Sequence, residues 1–192
     1  MAHICSHQHV WTFDNFMRPL LHNPEKIFSP YVKPGMRVMD VGCGAGFAAL
    51  GLAKLVGETG KVVAVDVQPE MLAKVENRAR KLSLMDRIET HLSQADALQV
   101  AGLFDMVNAF FMVHEVPDTE HLLQQIYDCL ELNGIFLAIE PIFHVSKKRF
   151  QTMLEIARNI GFETLSYPKI RFSQAVVLAK NQHPLPKLKN EG

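Results

Sequence analysis

With 192 residues, 48% hydrophobic and 21% charged, the chain has the make-up of one globular domain with a single sizeable core. Its 20 basic and 20 acidic residues leave a formal net charge of +0, so no basic field exists to hold nucleic acid. The longest apolar stretch, Phe104 to Val113, contains Asp105 and Asn108 and is too short to span a bilayer, which takes roughly 20 residues.

Residues 1–24 read as an irregular arm or lid, aromatic and rich in histidine: His3, His7, His9, Trp11, Phe13, Phe16 and His22. The first residues lack the basic region and apolar core of a signal peptide, and Cys5, Cys43 and Cys129 are too scattered for a disulfide framework, so a reducing cytoplasm is expected. A domain over 25–180 follows. Val38–Val41 reads as a buried strand, broken by Gly42, Gly44 and Gly46 and followed by a helix over Ala48–Val56. Glycines at this spacing let the backbone turn tightly and let a nucleotide-like ligand approach the main chain, facing the free N–H groups that open the helix. Val62–Val67 is a second strand. Pro69 opens a helix with Met71, Leu72, Val75, Ala79 and Leu82 at helical spacing.

Ile88–Leu92 reads as a weaker strand and Phe104–Phe111 as a fourth. Asp118 caps a helix bearing Leu122, Leu123, Ile126, Tyr127 and Leu130, which Asn133-Gly134 stops, and Ile135–Glu140 is a fifth strand. Ser146 to Ile160 is a helix ended by Gly161. Phe162–Tyr167 and Ala175–Ala179 leave no room for a helix between them and form a hairpin around Pro168. The expected fold is α/β, a doubly wound and mostly parallel seven-stranded sheet with a C-terminal antiparallel hairpin. The tail over 181–192 is polar and frayed.

Several segments carry a family resemblance. Asp40-Val41-Gly42-Cys43-Gly44-Ala45-Gly46 resembles the first motif of class I S-adenosylmethionine-dependent methyltransferases. Val63-Ala64-Val65-Asp66 resembles the second and Ala95-Asp96-Ala97 the third. Phe104-Asp105-Met106-Val107 together with Val113-His114-Glu115-Val116-Pro117-Asp118 resembles the fourth. Leu130-Glu131-Leu132-Asn133-Gly134 stands where the family usually carries a Lys-Pro-Gly-Gly turn. The resemblance covers residues 35–180 and is nearest to the small-molecule branch that includes ubiquinone-biosynthesis and arsenite methyltransferases.

The resemblance implies S-adenosylmethionine as cofactor and a role for each residue. Gly42, Gly44 and Gly46 carry its homocysteine portion on bare backbone, and Asp40 orders its ammonium group. Asp66, 20 positions after Gly46, accepts the ribose hydroxyls, from a strand end where its loss leaves the fold intact. Val67 and Ala97 flank the adenine, Asp96 accepts from the adenine amino group, and Phe110 or Phe111 lines the floor by the sulfonium. Those two rings alternate faces, so one of them belongs to the core. Cys43 reads as a small filler in a cramped turn. A hydride-transferring enzyme is the rival for such a fold. It wants a small residue where this chain has Phe47, and it wants a second domain.

Methyl transfer asks the protein for alignment, for desolvation and, with a hydroxyl, nitrogen or carbon acid, for removal of a proton. His114, Glu140 and His144 follow the fourth and fifth strands and are the expected catalytic residues. Histidine is the residue type that takes a proton near neutral pH, and a buried Glu140 holds an imidazole in one tautomer. The acceptor is a small molecule, with no nucleic acid and no membrane span involved. The short N-terminal segment and the lack of an inserted cap leave a pocket that is either shallow or completed in a homodimer. Two alternatives stand beside this reading: a non-catalytic sensor or regulatory subunit that binds the same cofactor, and a metal- or metalloid-directed enzyme using Cys5, His7 and His9 at alternate positions.

Overall fold

The computed structural model describes residues 22–181. Residues 1–21 of the N-terminal arm, with Cys5, His7, His9, Trp11, Phe13 and Phe16, and the tail after Asn181 lie outside the described residues.

Among the described residues twelve principal elements follow one another: α1 (Pro24–Phe28), β1 (Arg37–Val41), α2 (Phe47–Leu55), β2 (Lys61–Asp66), α3 (Pro69–Lys81), β3 (Ile88–Leu92), β4 (Phe104–Phe110), α4 (Thr119–Cys129), β5 (Leu130–Pro141), α5 (Lys147–Ile160), β6 (Phe162–Ser166) and β7 (Ser173–Lys180). Short 3₁₀ turns lie at Met85–Arg87 and Val113–Glu115. The strands form one seven-stranded sheet in the order β3-β2-β1-β4-β5-β7-β6. β1 to β5 pair in parallel, and β7 pairs antiparallel with both β5 and β6. This is the doubly wound sheet with a C-terminal antiparallel hairpin expected from the alternation of the sequence.

Both faces of the sheet are buried, because successive residues of a strand point to opposite sides. Met39, Val41, Val107, Ala109, Phe136 and Ala138 pack with Leu123 and Ile126 of α4 and with Phe150 and Leu154 of α5. Val38, Val62, Ala64, Met106, Leu137 and Ile139 pack on the other side with Phe28, with Leu52 of α2 and with Val75 of α3. The caps are those the sequence signals. Asp118 accepts from the His121 N–H at 2.9 Å, Ser146 from the Arg149 N–H at 3.2 Å, and Gly161 closes α5 at φ 124°.

Most boundaries fall within one or two residues of the sequence reading, and the largest difference is at the end of α4. α4 stops at Cys129, and β5 already begins at Leu130, which pairs with Phe104. The next pair is Met106 with Ile135, so Glu131 to Gly134 bulge out opposite Asp105. Leu130 is fully buried, which extends the helical periodicity of α4 by one position although its own backbone is extended. Asn133-Gly134 therefore closes a bulge and not a helix. Asn133 is left-handed at φ 64°, and a Cβ on Gly134 would lie 2.8 Å from the Glu131 carbonyl oxygen.

A cavity at the carboxyl ends of the strands

β1 and β4 are neighbours although β2 and β3 separate them in sequence, so the chain reverses its winding between them. The carboxyl ends of strands at such a switch point open a crevice. Here it is a cavity of about 530 Å³, within the usual size range for small-molecule sites.

One end of it is backbone. After β1 the chain turns through Gly42 at φ 65° and Gly44 at φ 50°. A Cβ on Gly42 would lie 2.9 Å from the Met112 side chain, so only glycine lets the β1 and β4 loops meet. The turn is tied to β2 by the Cys43 N–H on the Val65 carbonyl (2.9 Å) and by the Gly44 N–H on Asp66 Oδ2 (2.9 Å). Asp66 Oδ1 accepts from the Gln68 N–H at 2.9 Å. Arg78 reaches from α3 to the Ala45 carbonyl at 2.8 Å. Asp66 is buried at 7% exposure, and that burial raises its carboxyl above the ordinary range against the pull of its backbone donors. Asp66 stands at the strand end as expected, but it is buried and accepts from two backbone donors, so its removal costs stability as well as a ligand contact. Asp40, 1% exposed, accepts from Asn108 Nδ2 at 2.6 Å, across the β1–β4 pair.

Gly46 does not line the cavity. It is the N-cap of α2 at φ 89°, and a Cβ there would press to 3.1 Å on Val75 of α3. Its place is helix packing. Val67, Asp96 and Ala97 do line the cavity, Asp96 as an exposed residue on a loop closed by Gln94 and Ala97. That loop is held from two sides. Gln125 on α4 accepts from the Leu98 N–H (2.8 Å) and donates to the Asp96 carbonyl (3.0 Å), while His91 Nε2 donates to the Leu98 carbonyl at 2.8 Å. Cys43 is a buried filler as expected; burial and then the Asp40 and Asp66 charges push its thiol well above its ordinary value.

The other end is made of side chains. Phe110 and Phe111 both line the cavity, with centroids 4.5 Å apart. The expected alternation of faces fails because Phe111 leaves the strand in a left-handed conformation, φ 60°, which swings its ring back beside Phe110. Phe47 and His22 pack on Phe110 at 5.4 and 5.7 Å. Next to them, His114 Nδ1 donates to Glu140 Oε2 at 2.5 Å, and Glu140 Oε1 accepts from the Val113 N–H at 3.0 Å. Glu140, 1% exposed, stands behind His114 and does not itself line the cavity. The Arg149 guanidinium donates to the His114 carbonyl at 2.6 Å. His144 lines the cavity as an exposed residue, its ring 6.2 Å from that of His114. The sequence thus leads to His114, Glu140 and His144. It carries no local signal for Asn108, Gln125, Met112 or His22, whose roles come from contacts across the sheet or between loops.

The charges are one-sided. Asp40, Asp66, Asp96, Glu115 and Asp118 line the cavity, and among the described residues no Lys or Arg does. Such a lining favours a cationic ligand and disfavours a pyrophosphate. Among the described residues no group of three or more metal-ligating side chains gathers, and none of the helices is long and apolar enough to cross a membrane.

Known proteins resemble this chain in sequence and in fold. The chain is 29% identical over 123 residues to a ubiquinone/menaquinone biosynthesis C-methyltransferase of Cronobacter sakazakii, covering 62% of this chain and 49% of that protein. It is 34% identical over 106 residues to a demethylmenaquinone methyltransferase of Lactobacillus johnsonii, covering 54% of this chain and 43% of that one. The chain thus spans about half the length of these curated relatives. A SAM-dependent methyltransferase from Aquifex aeolicus superposes with a TM-score of 0.82 at 25% identity, over 92% of this chain and 99% of that one. The [4+2]-cyclase SpnF superposes at 0.68 with 18% identity, over 82% of this chain and 80% of that one, so the fold alone does not decide the chemistry. The family profile described as a methyltransferase domain matches residues 32–183, and the chain belongs to that family.

Proposed function

We propose that this protein transfers a methyl group from S-adenosylmethionine to a small-molecule acceptor. The observation that carries the reading is the charge of the cavity beside the glycine turn: Asp40, Asp66, Asp96, Glu115 and Asp118 with no Lys or Arg among the described lining residues. That lining suits an ammonium and a sulfonium, and it repels the pyrophosphate of a nicotinamide cofactor. Bound there, S-adenosylmethionine supplies a methyl group already activated by its sulfonium charge.

Asp40 would hold the ammonium group over the turn at Gly42 and Gly44, whose shape Gly46 completes from α2. Asp66 would hold the ribose hydroxyls. Each of its oxygens accepts one backbone N–H, and a carboxylate has about four acceptor positions, so capacity remains. Val67 and Ala97 would flank the adenine, Asp96 would take its amino group, and Phe110 would form the floor. His114 is the residue we assign to the acceptor's proton. Glu140 binds Nδ1, which leaves Nε2, 4.0 Å from Glu115 Oε1 and so not hydrogen-bonded to it, to receive the proton, and the carbonyl contact from Arg149 fixes the turn that carries the ring. His144 borders the acceptor. The aromatic walls exclude water from the transfer. With its net charge of +0 and no spanning helix among the described residues, the protein fits a cytoplasmic enzyme acting on a free small molecule, not on nucleic acid.

Calorimetry with S-adenosylhomocysteine and NAD, followed by incubation of deuteromethyl-labelled S-adenosylmethionine with a set of phenols and amines, tests the reading. Homocysteine-nucleoside binding and label in an acceptor are expected. Binding of NAD alone sinks it; cofactor binding without any turnover favours the sensor.

A further inference from the structure

A second groove whose charge is opposite adjoins the cavity, with the buried His22 as the residue lining both. This groove, about 470 Å³, is lined by His22, Lys26, Tyr31, Lys169 and Arg171, with Pro30, Pro168 and Ile170 as its apolar walls. It has three cations and no carboxylate among its lining residues, where the main cavity has carboxylates and neither Lys nor Arg. Among the described residues no ion pair engages Lys26, Lys169 or Arg171, although Glu25 beside Lys26 is paired with Lys54 at 2.6 Å.

The two spaces are joined by named contacts. His22 lines both; its Nε2 donates to the Arg171 carbonyl at 2.8 Å, and its ring meets Phe110 and Phe111 edge-on at 5.7 and 5.9 Å. The Arg171 guanidinium stacks 4.9 Å from the Phe172 ring, and Phe172 lies 5.9 Å from Phe143. Both these phenylalanines line the main cavity, and Phe143 is 77% exposed. An exposed aromatic pair at a cavity mouth, next to unpaired cations, is costly to leave wetted and suits a ligand with a flat apolar part and an anionic end.

We propose that the acceptor is an aromatic acid: a flat ring held between Phe111, Phe143 and Phe172 over His114, with a carboxylate or phosphate reaching past His22 to Arg171, Lys169 and Lys26. This rests on the methyl-transfer reading of the main cavity, and it adds the chemical class of the acceptor. The charge reversal from one side of His22 to the other would sort the two ligands. The cationic cofactor is drawn to the acidic end, and the anionic acceptor is oriented with its ring inward and its charge outward.

The test uses the full chain saturated with S-adenosylhomocysteine, with 4-hydroxyphenylacetate, its methyl ester and inorganic phosphate as probes, followed by calorimetry and ligand-observed NMR. The carboxylate is expected to bind about tenfold more tightly than the ester, the scale of a charged hydrogen bond, and to weaken as salt rises. The double variant Lys169→Glu with Arg171→Glu is expected to cancel that preference while it still binds S-adenosylhomocysteine as the parent does. Equal affinity for acid and ester, no binding of the acid, a preference that survives in the variant, or phosphate binding as strongly as the acid would overturn the proposal. Failure of the parent to bind S-adenosylhomocysteine at all overturns the methyl-transfer reading as well, so the two failures are distinguishable.

Discussion

The two ends of the main cavity are built on different physical terms. At the glycine turn the surface is backbone, shaped by Gly42 and Gly44 and tied to β2 through Val65 and Asp66, 22 positions along the chain. At the His114 end the surface is side chains from β4, β5 and the loops that follow, and its central contact joins residues 26 positions apart. A backbone cradle tolerates change outside its glycines and suits a ligand that every member of a family shares. A side-chain cluster is easily varied, and it suits the ligand that differs. The [4+2]-cyclase SpnF has this fold and a different named chemistry, so the sheet alone does not fix the reaction.

The sharpest way to break the comparison is at His114. His114→Gln retains a side-chain donor for Glu140 but offers no base. Turnover is expected to fall about 10²–10⁴-fold with the affinity for S-adenosylhomocysteine unchanged. Single-turnover rates and calorimetry on the same preparation check it. An equal loss in both measurements would mean that the two ends are not separate.

Asp66→Ala acts at the other end. It is expected to weaken S-adenosylhomocysteine binding by about 1.5–3 kcal/mol and to lower stability by about 1–3 kcal/mol, since the N–H groups of Gly44 and Gln68 lose their acceptor. Isothermal titration and thermal melting read the two effects apart. The raised carboxyl of Asp66 also has a pH signature. Ribose binding needs the ionised form, so affinity should decline as pH falls through that raised value, above the ordinary carboxylate range, and Asp66→Asn should flatten the profile. The sign reverses for the unliganded fold. Its folded-state carboxyl holds a proton longer than the unfolded one, so this residue's contribution to stability falls as pH rises through that window and is level above it. A pH-independent affinity would contradict the assignment.

The smallest expected effect is at Gln125, which touches no ligand in this reading and only positions the 93–98 loop. Gln125→Ala should cost about 1 kcal/mol in S-adenosylhomocysteine affinity, with the single-turnover rate at saturation unchanged. Gln125→Glu, which keeps the acceptor for the Leu98 N–H, should recover part of it. A change in the saturated rate would show that the loop reaches the acceptor end as well.

How much of this was legible in the chain follows from how local each signal is. The strand–glycine turn–helix unit, the acidic ends of β1 and β2, the caps at Asp118 and Ser146 and the closing hairpin all rest on neighbouring residues, whose propensities and periodicities the order of amino acids states directly. His114 and Glu140 were visible as residues at the carboxyl ends of successive parallel strands, His114 just past β4 and Glu140 near the end of β5. Tertiary contact decided the rest. The pairing of Leu130 with Phe104 ended α4 early and turned Asn133-Gly134 into a bulge. The left-handed Phe111 put two rings on one side, and Val75 drew Gly46 into helix packing. His22 came to stand between two cavities of opposite charge, far in sequence from Arg171, whose carbonyl it binds. Local order sets which elements form and where their polar ends emerge. Which side chains meet, at what distance and in what field, is a property of burial between segments that are remote along the chain, and the acceptor is selected at that level.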